Sequence, residues 1–285
     1  MSGDAEFKFA FSANAFLRFT VLQTVETIAE IGYPAVELMS DEPHLVPGQV
    51  EKDTLVELRK RITDLGLVVS NVNAFTMRTV GDTWHPSWIE QDEALRKIRL
   101  EHTIGSLRIA AALGAPSITT EPGGPLPEGV EREQCMAWFV EGMTAAAKVA
   151  QSEGVMLLVE PEPELLIENP DQFLQFRPQI DSPAIGLNFD IGHFYCVGVD
   201  PVEAFEKLKP HIRHAHMEDI AASREHYHLV PGEGIIPLPE IINTMRAGGY
   251  GGWISVELYP YVDRPAEVAR QAFEYLQHLP SDRGE

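Results

Sequence analysis

Short apolar segments, several rich in β-branched residues, alternate along the chain with longer segments in which apolar residues recur every three or four positions. The first pattern predicts buried β-strands and the second predicts amphipathic helices. The predicted strands are FKFAFS, AVELM, LVVSNVN, SITT, MLLVE, IGLNFD, IRHAHM and WISVEL. A predicted helix follows each strand, and this alternation is typical of βα units around a parallel sheet.

The eight predicted helices cover residues 19–31, 53–66, 92–113, 132–154, 169–176, 201–209, 238–249 and 266–279. Several end at a glycine, where a left-handed C-cap costs little: Gly32, Gly66, Gly114, Gly154 and Gly248. Eight strand and helix pairs match the usual size of a (β/α)8 TIM barrel. No break in composition divides the chain, so we predict an α/β fold with a single barrel domain over residues 1–285.

The alternative fold is a doubly wound open sheet. Such a sheet favours a glycine-rich phosphate turn after an early strand. No G-x-G-x-x-G opens a helix here, and no G-x-x-x-x-G-K-[ST] occurs. The stretch GGYGGW precedes a predicted strand and indicates a tight turn between helix and strand. The barrel is therefore favoured.

Charge and composition restrict the partners. The net charge is −21, with 22 basic residues against 43 acidic ones, so extended nucleic acid is disfavoured. No apolar run approaches the roughly 20 residues of a membrane span, and the first residues lack the pattern of a secretory signal. The two cysteines, Cys135 and Cys196, have no metal or redox spacing. Free thiols are typical of a reducing compartment, so we expect a cytoplasmic protein without a membrane partner.

Polar residues occur at the ends of the last four predicted strands: Glu160, Asp190, His216 and Glu257. In a TIM barrel these ends meet at one mouth, where catalytic groups lie. A buried carboxylate is costly unless a positive charge meets it. Each acid alone could cap a helix or pair with an arginine, but the four together predict one divalent cation. Because oxygen ligands dominate, Mn²⁺ or Mg²⁺ is favoured, while Zn²⁺, Co²⁺ and Fe²⁺ stay open.

The pattern resembles the xylose isomerase-like TIM-barrel superfamily over nearly the whole chain. The matching residues are Glu160, Asp190-x-x-His193, His216-x-x-Asp219 and Glu257. That superfamily includes sugar isomerases and epimerases, inosose-processing enzymes, dehydroshikimate dehydratases and abasic-site nucleases of the endonuclease IV type. The resemblance implies that the four strand-end residues hold one metal.

The resemblance also implies that Glu160 and Glu257 are catalytic and move protons. His193 would bind a substrate oxygen, or would simply hold Asp190 in place. Asp219 would orient a loop or the ligand. His214 faces the barrel interior with His216, and we expect it to be a packed, hydrogen-bonded residue.

His226 and His228 lie where the nuclease branch has an Asp-x-His pair that binds an additional metal. Glu121 stands where that branch has a histidine, so the three-metal site of the nucleases looks incomplete and we assign Glu121 to substrate binding. Three roles stay open for His226 and His228: a second metal site with His193, contact with a sugar hydroxyl or phosphate, or lining of the loop.

Two further residues are assigned to substrate binding. Arg224 has a guanidinium that suits an anionic or polyhydroxyl substrate. Trp84 lies in the long segment AFTMRTVGDTWHPSWIEQ, and structureless loops of that length are usually lids or binding loops. Trp84 would stack on a sugar ring, whereas nearby Trp88 could equally begin the buried face of the next helix. We expect Glu162 and Glu164 to be solvated loop charges.

These observations predict a divalent-metal-dependent isomerase or epimerase of a sugar, a sugar phosphate or a cyclic polyol ketone. Proton transfer would pass through a metal-stabilised enediolate. The second candidate is a lyase that dehydrates dehydroshikimate or an inosose, and the third is a phosphodiesterase of the abasic-site type. The intact acid set argues against a barrel that only binds a ligand. The partner is a small carbohydrate, and a homo-oligomer stays open because barrels of this superfamily often pair.

Overall fold

Eight parallel strands close into a barrel in the computed structural model, which describes residues 8–279. The strands follow one another in chain order, and the last pairs with the first. Their bounds are β1 Lys8–Ser12, β2 Ala35–Met39, β3 Val68–Asn73, β4 Ser117–Thr120, β5 Met156–Val159, β6 Ile185–Asp190, β7 Ile212–Met217 and β8 Trp253–Val256. The predicted α/β TIM barrel is confirmed; Phe7, the first residue of the predicted first strand, lies outside the described residues.

Helices surround the barrel between the strands. They are α1 Val21–Ile31, α2 Lys52–Asp64, α3 Glu93–Leu113, α4 Arg132–Glu153, α5 Pro170–Phe176, α6 Ile191–Cys196, α7 Pro201–Leu208, α8 Leu238–Ala247 and α9 Pro265–Gln277. The helix α6 was not predicted. Its first turn follows β6 directly, and the side chain of Asp190 caps it by accepting the N–H of His193 at 2.8 Å.

Glycines end several helices as predicted, with one exception. Gly32, Gly114 and Gly154 are left-handed C-caps, and Gly66 has a positive φ one residue after Leu65, the C-cap of α2. Gly248 is wrongly predicted, because its φ of −73° is right-handed. The next residue of that turn, Gly249, takes the left-handed conformation instead, with a φ of 81°.

The barrel interior below the mouth is filled by hydrogen-bonded polar side chains. Asn71 donates to Thr119 Oγ1 at 2.7 Å and accepts from Ser117 at 2.6 Å. His214 is buried 3.0 Å from Ser255 Oγ, as expected for a packed inner residue. Because these groups satisfy one another, the polar interior avoids the cost of unpaired buried groups. It forms a fixed floor beneath the strand ends.

Trp88 belongs to the core between barrel and helices and does not cover the mouth. Its ring packs edge-on against Phe139 at 6.3 Å, and its indole N–H donates to Thr120 Oγ1 at 2.9 Å. The part of the chain that the structure describes contains no helix long and apolar enough to cross a bilayer.

Gly142 in α4 provides a test of this packing. A Cβ at this position would lie 2.6 Å from Trp88 Cε3, and the buried indole has no room to move away. Overpacking should outweigh the gain in helix propensity, so Gly142→Ala should lower the free energy of unfolding by about 1–2 kcal/mol. Urea denaturation measures the change. Gly251→Ala, whose Cβ would meet nothing within 4 Å, is the control, and equal stability of the two variants would contradict the packing.

Candidate active site

A cavity of about 320 Å³ opens at the carboxyl ends of the strands, within the size range of small-molecule sites. Its acidic and imidazole lining consists of Glu160, Glu162, Glu257, His193, His226 and His228. Its apolar wall consists of Met39, Phe75, Trp84 and Tyr259. The cavity therefore combines ionisable groups with an aromatic surface.

The four predicted metal ligands come together at the base of this cavity. Ligand atoms of Glu160, Asp190, His216 and Glu257 all lie within 4.8 Å of one another, and all four residues are buried. The distances from His216 Nδ1 are 2.7 Å to Glu160 Oε1, 3.5 Å to Glu257 Oε2 and 3.7 Å to Asp190 Oδ2. Residues from four successive strands thus surround one point.

Unsatisfied atoms indicate that this point suits a cation. Glu160 Oε1 and Asp190 Oδ2 are buried and have no hydrogen-bond partner in the described chain; the short approach of Glu160 to His216 lacks hydrogen-bond geometry. Buried acceptors that face one another are costly without a positive charge between them. Three carboxylates and one imidazole fit a divalent metal ion.

Glu37, in the middle of β2, orients the imidazole of His216, and the sequence analysis missed it. Both carboxylate oxygens of Glu37 lie 3.0 Å from His216 Nε2, and one lies 2.8 Å from His214 Nε2. Burial alone would raise the pKa of Glu37, but the charges and hydrogen bonds of His216 and His214 outweigh it and hold the pKa far below its usual value. A proton kept on Nε2 leaves Nδ1 to face the three carboxylates. A glutamate inside the otherwise apolar AVELM was the available signal.

The pKa values of the cluster residues are shifted in the direction that an excess of negative charge causes. Burial raises the pKa of Glu160 and of Glu257, and neighbouring carboxylates raise both further. Burial lowers the pKa of His216, but the carboxylates of Glu257, Glu37 and Glu160 outweigh it and raise the pKa well above its usual value. Without a metal, a proton on His216 supplies the positive charge that the cluster requires.

Two amides fix the direction of the Glu257 carboxylate. Asn14 Nδ2 and Asn73 Nδ2 donate to Glu257 Oε1 at 2.8 and 3.2 Å. The other oxygen, Oε2, faces His216 Nδ1. One oxygen of Glu257 is thereby held by the protein, while the other faces the ligand cluster.

Three further imidazoles form a second group beside the first. His193, His226 and His228 have ring nitrogens within 4.8 Å of one another, and the Nε2 atoms of His226 and His228 are 3.2 Å apart. Burial lowers the pKa of all three, that of His226 to about 3, so the rings are neutral at pH 7. Neutral imidazoles can bind hydroxyl groups or ligate a metal, so this geometry keeps both roles open.

Glu162 joins this second group, and the expectation that it is a solvated loop charge is wrong. It is 4% exposed, and its oxygens lie 3.2 Å from His193 Nδ1 and 3.3 Å from His226 Nδ1. Burial, followed by the charges of nearby carboxylates, raises its pKa well above the usual value. Glu164 is exposed as expected. The loop after β5 folds back over the mouth, which a run of alternating Glu and Pro does not reveal.

Glu218 in the loop after β7 was also missed. It is fully buried, and its Oε1 accepts the N–H of Gly192 at 2.6 Å. Burial and the charge of Asp190 raise its pKa well above the usual value. Its carboxylate supports the first turn of α6, which carries His193.

His193 occupies a position between the two groups. Its Nε2 is 3.5 Å from Asp190 Oδ2, its Nδ1 is 3.0 Å from the carbonyl of Pro161, and its ring lines the cavity. Contact with substrate and support of Asp190 are therefore both compatible with its place. Asp219 accepts backbone N–H groups of Gly232 and Ile236 at 3.0 Å each and so orders the loop after β7.

Not all predicted substrate contacts reach the cavity. Trp84 does, with its ring edge-on to Phe75 at 5.8 Å. Arg224 does not line it; its guanidinium stacks on Tyr195, 4.7 Å from the ring centre. Glu121 does not line it either; it is fully buried, accepts the N–H of Trp88 at 3.0 Å and lies 3.8 Å from Arg99. In both cases the path of the loop decides the position.

We call Glu160, Asp190, His216 and Glu257 the ligand cluster. A closed βα barrel with such a cluster at the ends of its strands is typical of TIM-barrel proteins whose site lies at the mouth. The chain belongs to the xylose isomerase-like TIM barrel family, whose model matches residues 25–279. The predicted resemblance is confirmed.

Several known proteins are similar to this chain. Fructoselysine 3-epimerase of Escherichia coli O157:H7 is 25% identical over 272 residues, which cover 92% of this chain and 94% of that protein. Inosose dehydratase of Clostridium beijerinckii is 25% identical over 196 residues, 62% of this chain and 66% of that protein. The crystal structure of a D-tagatose 3-epimerase-like protein has the same fold, with a TM-score of 0.78, 22% identity and coverage of 95% and 98% of the two chains.

The raised pKa values of Glu160 and Glu257 predict how metal binding depends on pH. Divalent metal must displace the protons held by these carboxyls and by His216, so the affinity for Mn²⁺ should rise with pH, by about tenfold per pH unit for each proton displaced. Calorimetric titration at pH 6 and pH 8, in buffers of different ionisation heat, measures affinity and proton release. Glu164→Gln should leave the pH dependence unchanged, whereas an affinity independent of pH would contradict binding at this cluster.

Proposed function

We propose that the protein is a divalent-metal-dependent isomerase or epimerase that moves a proton beside the carbonyl of a small carbohydrate. One observation carries this proposal. Glu160 and Glu257 both approach His216 Nδ1 and both line the cavity. Each carboxylate therefore belongs to the ligand cluster and can also reach a molecule bound in the cavity.

Glu160, Asp190, His216 and Glu257 would hold the metal. When bound, a divalent cation there would acidify the C–H beside a carbonyl by stabilising an enediolate. The oxygen-dominated set favours Mn²⁺ or Mg²⁺ over Zn²⁺ or Co²⁺.

The two glutamates act as base and acid in this proposal. Both carboxylates line the cavity, so each can accept or donate a proton at a bound molecule, as general acid–base catalysis requires. Glu160 follows β5 and Glu257 follows β8, so they approach the cavity from different sides. One removes the proton, and the other returns it to the opposite face or to the neighbouring atom.

The rest of the cavity supports a carbohydrate partner. His193, His226 and His228 offer neutral nitrogens to hydroxyl groups, and Trp84 offers a ring face or edge to a sugar. The similarity to fructoselysine 3-epimerase and inosose dehydratase supports a sugar-modifying enzyme. The net charge of −21 supports a small molecule over nucleic acid.

A dehydratase is the second candidate. Glu162 is a buried acid with a raised pKa beside the imidazole group, so it could protonate a departing hydroxyl after proton abstraction by a glutamate. The similarity to inosose dehydratase favours the same candidate. The nuclease candidate is weaker, because Glu121 occupies the place of a nuclease metal ligand and lies away from the cavity.

We also propose a cytoplasmic location, because Cys135 and Cys196 are both unpaired, as is usual in a reducing compartment. Homo-oligomerisation stays a prediction from the family resemblance.

The reaction type is tested with ketoses, their phosphates and inososes, incubated with Mn²⁺ in D₂O. An isomerase or epimerase should yield products that carry solvent deuterium without loss of water, whereas a dehydratase product is lighter by one water. Mass spectrometry separates the two outcomes. Nicking of abasic duplex DNA, with no change in any sugar, would contradict both.

Glu257→Gln should reduce turnover at least about 100-fold, because it removes a proton-moving group and keeps the side-chain shape. The melting temperature should show that the fold is retained. Glu164→Gln, an exposed glutamate in the loop after β5, is the control and should keep wild-type kinetics. Wild-type rates for Glu257→Gln would remove the mechanism with two glutamates.

His228→Ala should raise KM clearly while the metal content per chain changes little, since His228 belongs to the substrate side of the cavity in this proposal. Steady-state kinetics and elemental analysis of the purified variant measure the two effects. Loss of a second equivalent of metal without a change in KM would instead assign the three imidazoles to metal binding.

A further inference from the structure

Arg78 stands apart from the other groups that line the cavity. Among the described lining residues it is the only lysine or arginine, whereas Glu160, Glu162 and Glu257 are acids. Arg78 is therefore the one permanently cationic side chain that the described lining offers to an anionic ligand.

The backbone of Arg78 is held in place by a buried aspartate in the loop after β2. Asp41 Oδ2 accepts the N–H of Arg78 at 2.8 Å and the hydroxyl of Thr76 at 2.7 Å, while Oδ1 accepts the N–H and the hydroxyl of Thr79 at 3.2 and 2.8 Å. Asp41 is 1% exposed. Its oxygens are thus used to order the loop that carries Arg78.

The guanidinium of Arg78 has no such partner. Within residues 8–279 it makes no hydrogen bond, ion pair or ring contact, and it is exposed at the rim. Other arginines within residues 8–279 are engaged; for example, Arg224 stacks on Tyr195, and Arg99 donates to the carbonyls of Pro86 and Phe75. A fixed backbone and a free guanidinium leave Arg78 available to a ligand.

We propose that Arg78 forms an anion subsite, which binds a carboxylate or phosphate group of the substrate away from the proton-moving glutamates. A guanidinium matches either anion with two parallel hydrogen bonds. The inference rests on the proposed function for the nature of the ligand, and it narrows the substrate to a sugar acid or a sugar phosphate. Arg78 takes the role that the sequence analysis assigned to Arg224.

Equilibrium binding tests the subsite without requiring turnover. Calorimetry on the Mn²⁺-loaded protein compares D-fructose, D-fructose 6-phosphate and D-tagaturonate, which are neutral, phosphorylated and carboxylated ketoses. At least one anionic sugar should bind about 10- to 100-fold more tightly than D-fructose, as expected for a charged hydrogen-bond pair. The anion that gains affinity identifies the source of the charge.

Variants assign this preference to one side chain. Arg78→Gln should abolish it while leaving the affinity for D-fructose unchanged, and Arg78→Lys should keep part of it. Arg108→Gln changes the net charge equally at an exposed site in α3, where Arg108 pairs with Glu153, and should keep the full preference. Melting temperatures confirm that each variant is folded.

The outcomes separate this inference from the proposed function. A preference that disappears in Arg78→Gln, without turnover of any sugar, supports the subsite and removes the isomerase proposal for these ligands. Turnover of D-fructose with equal affinity for all three sugars overturns the subsite and keeps the isomerase. Equal weakening of all three by Arg78→Gln, or no binding of either anionic sugar, also overturns the subsite.

Discussion

Negative charge buried around a single imidazole is the constraint on which the rest of the site depends. Glu37 lies on one side of His216, and Glu160, Asp190 and Glu257 lie on the other. Such a cluster is stable only if a positive charge occupies its centre, either a proton on His216 or a bound cation. The protein therefore carries a place for a cation as a consequence of its charge arrangement.

The barrel makes this arrangement possible because it supplies rigid positions. Carboxylates on flexible loops would move apart, whereas ligands at successive strand ends are held by the strand ladder. The polar interior adds a second restraint, since Glu37 fixes His216 from below. The pairing of β2 with β3 shifts register between Val36 and Glu37, and the pairing of β6 with β7 shifts between Leu187 and Asn188; Glu37 and Asn188 both contact His216. Two residues that hold the central imidazole thus lie directly beside the register shifts of the sheet.

Buried aspartates order the loops above the strand ends. Asp41 holds the loop after β3, Asp190 caps α6 and Asp219 holds the loop after β7. Each carboxylate accepts backbone N–H groups, which offsets its burial. The cavity thereby has an acidic base, an imidazole wall, an aromatic wall and one cationic point on its rim.

The sequence by itself predicted the barrel, its eight strands and the four polar residues, Glu160, Asp190, His216 and Glu257, that meet at the mouth. Periodicity identifies the elements, and a polar residue at the end of an apolar strand has a single plausible location in a barrel. The helix α6 escaped because six residues are too few to show a helical period, and Gly248 was misassigned because either of two adjacent glycines can take the left-handed position.

Only the tertiary structure decided which residues join the site from elsewhere. Glu37 meets His214 across 177 positions of sequence, a contact created by closure of the barrel. Glu162 points into the cavity, and Arg78 reaches its rim. Arg224 packs on Tyr195, and Glu121 contacts Arg99 and Trp88. These positions follow from the paths of the loops, which the local sequence does not encode. Strand periodicity is a local property of the chain, whereas the meeting of side chains depends on register and loop packing over the whole molecule.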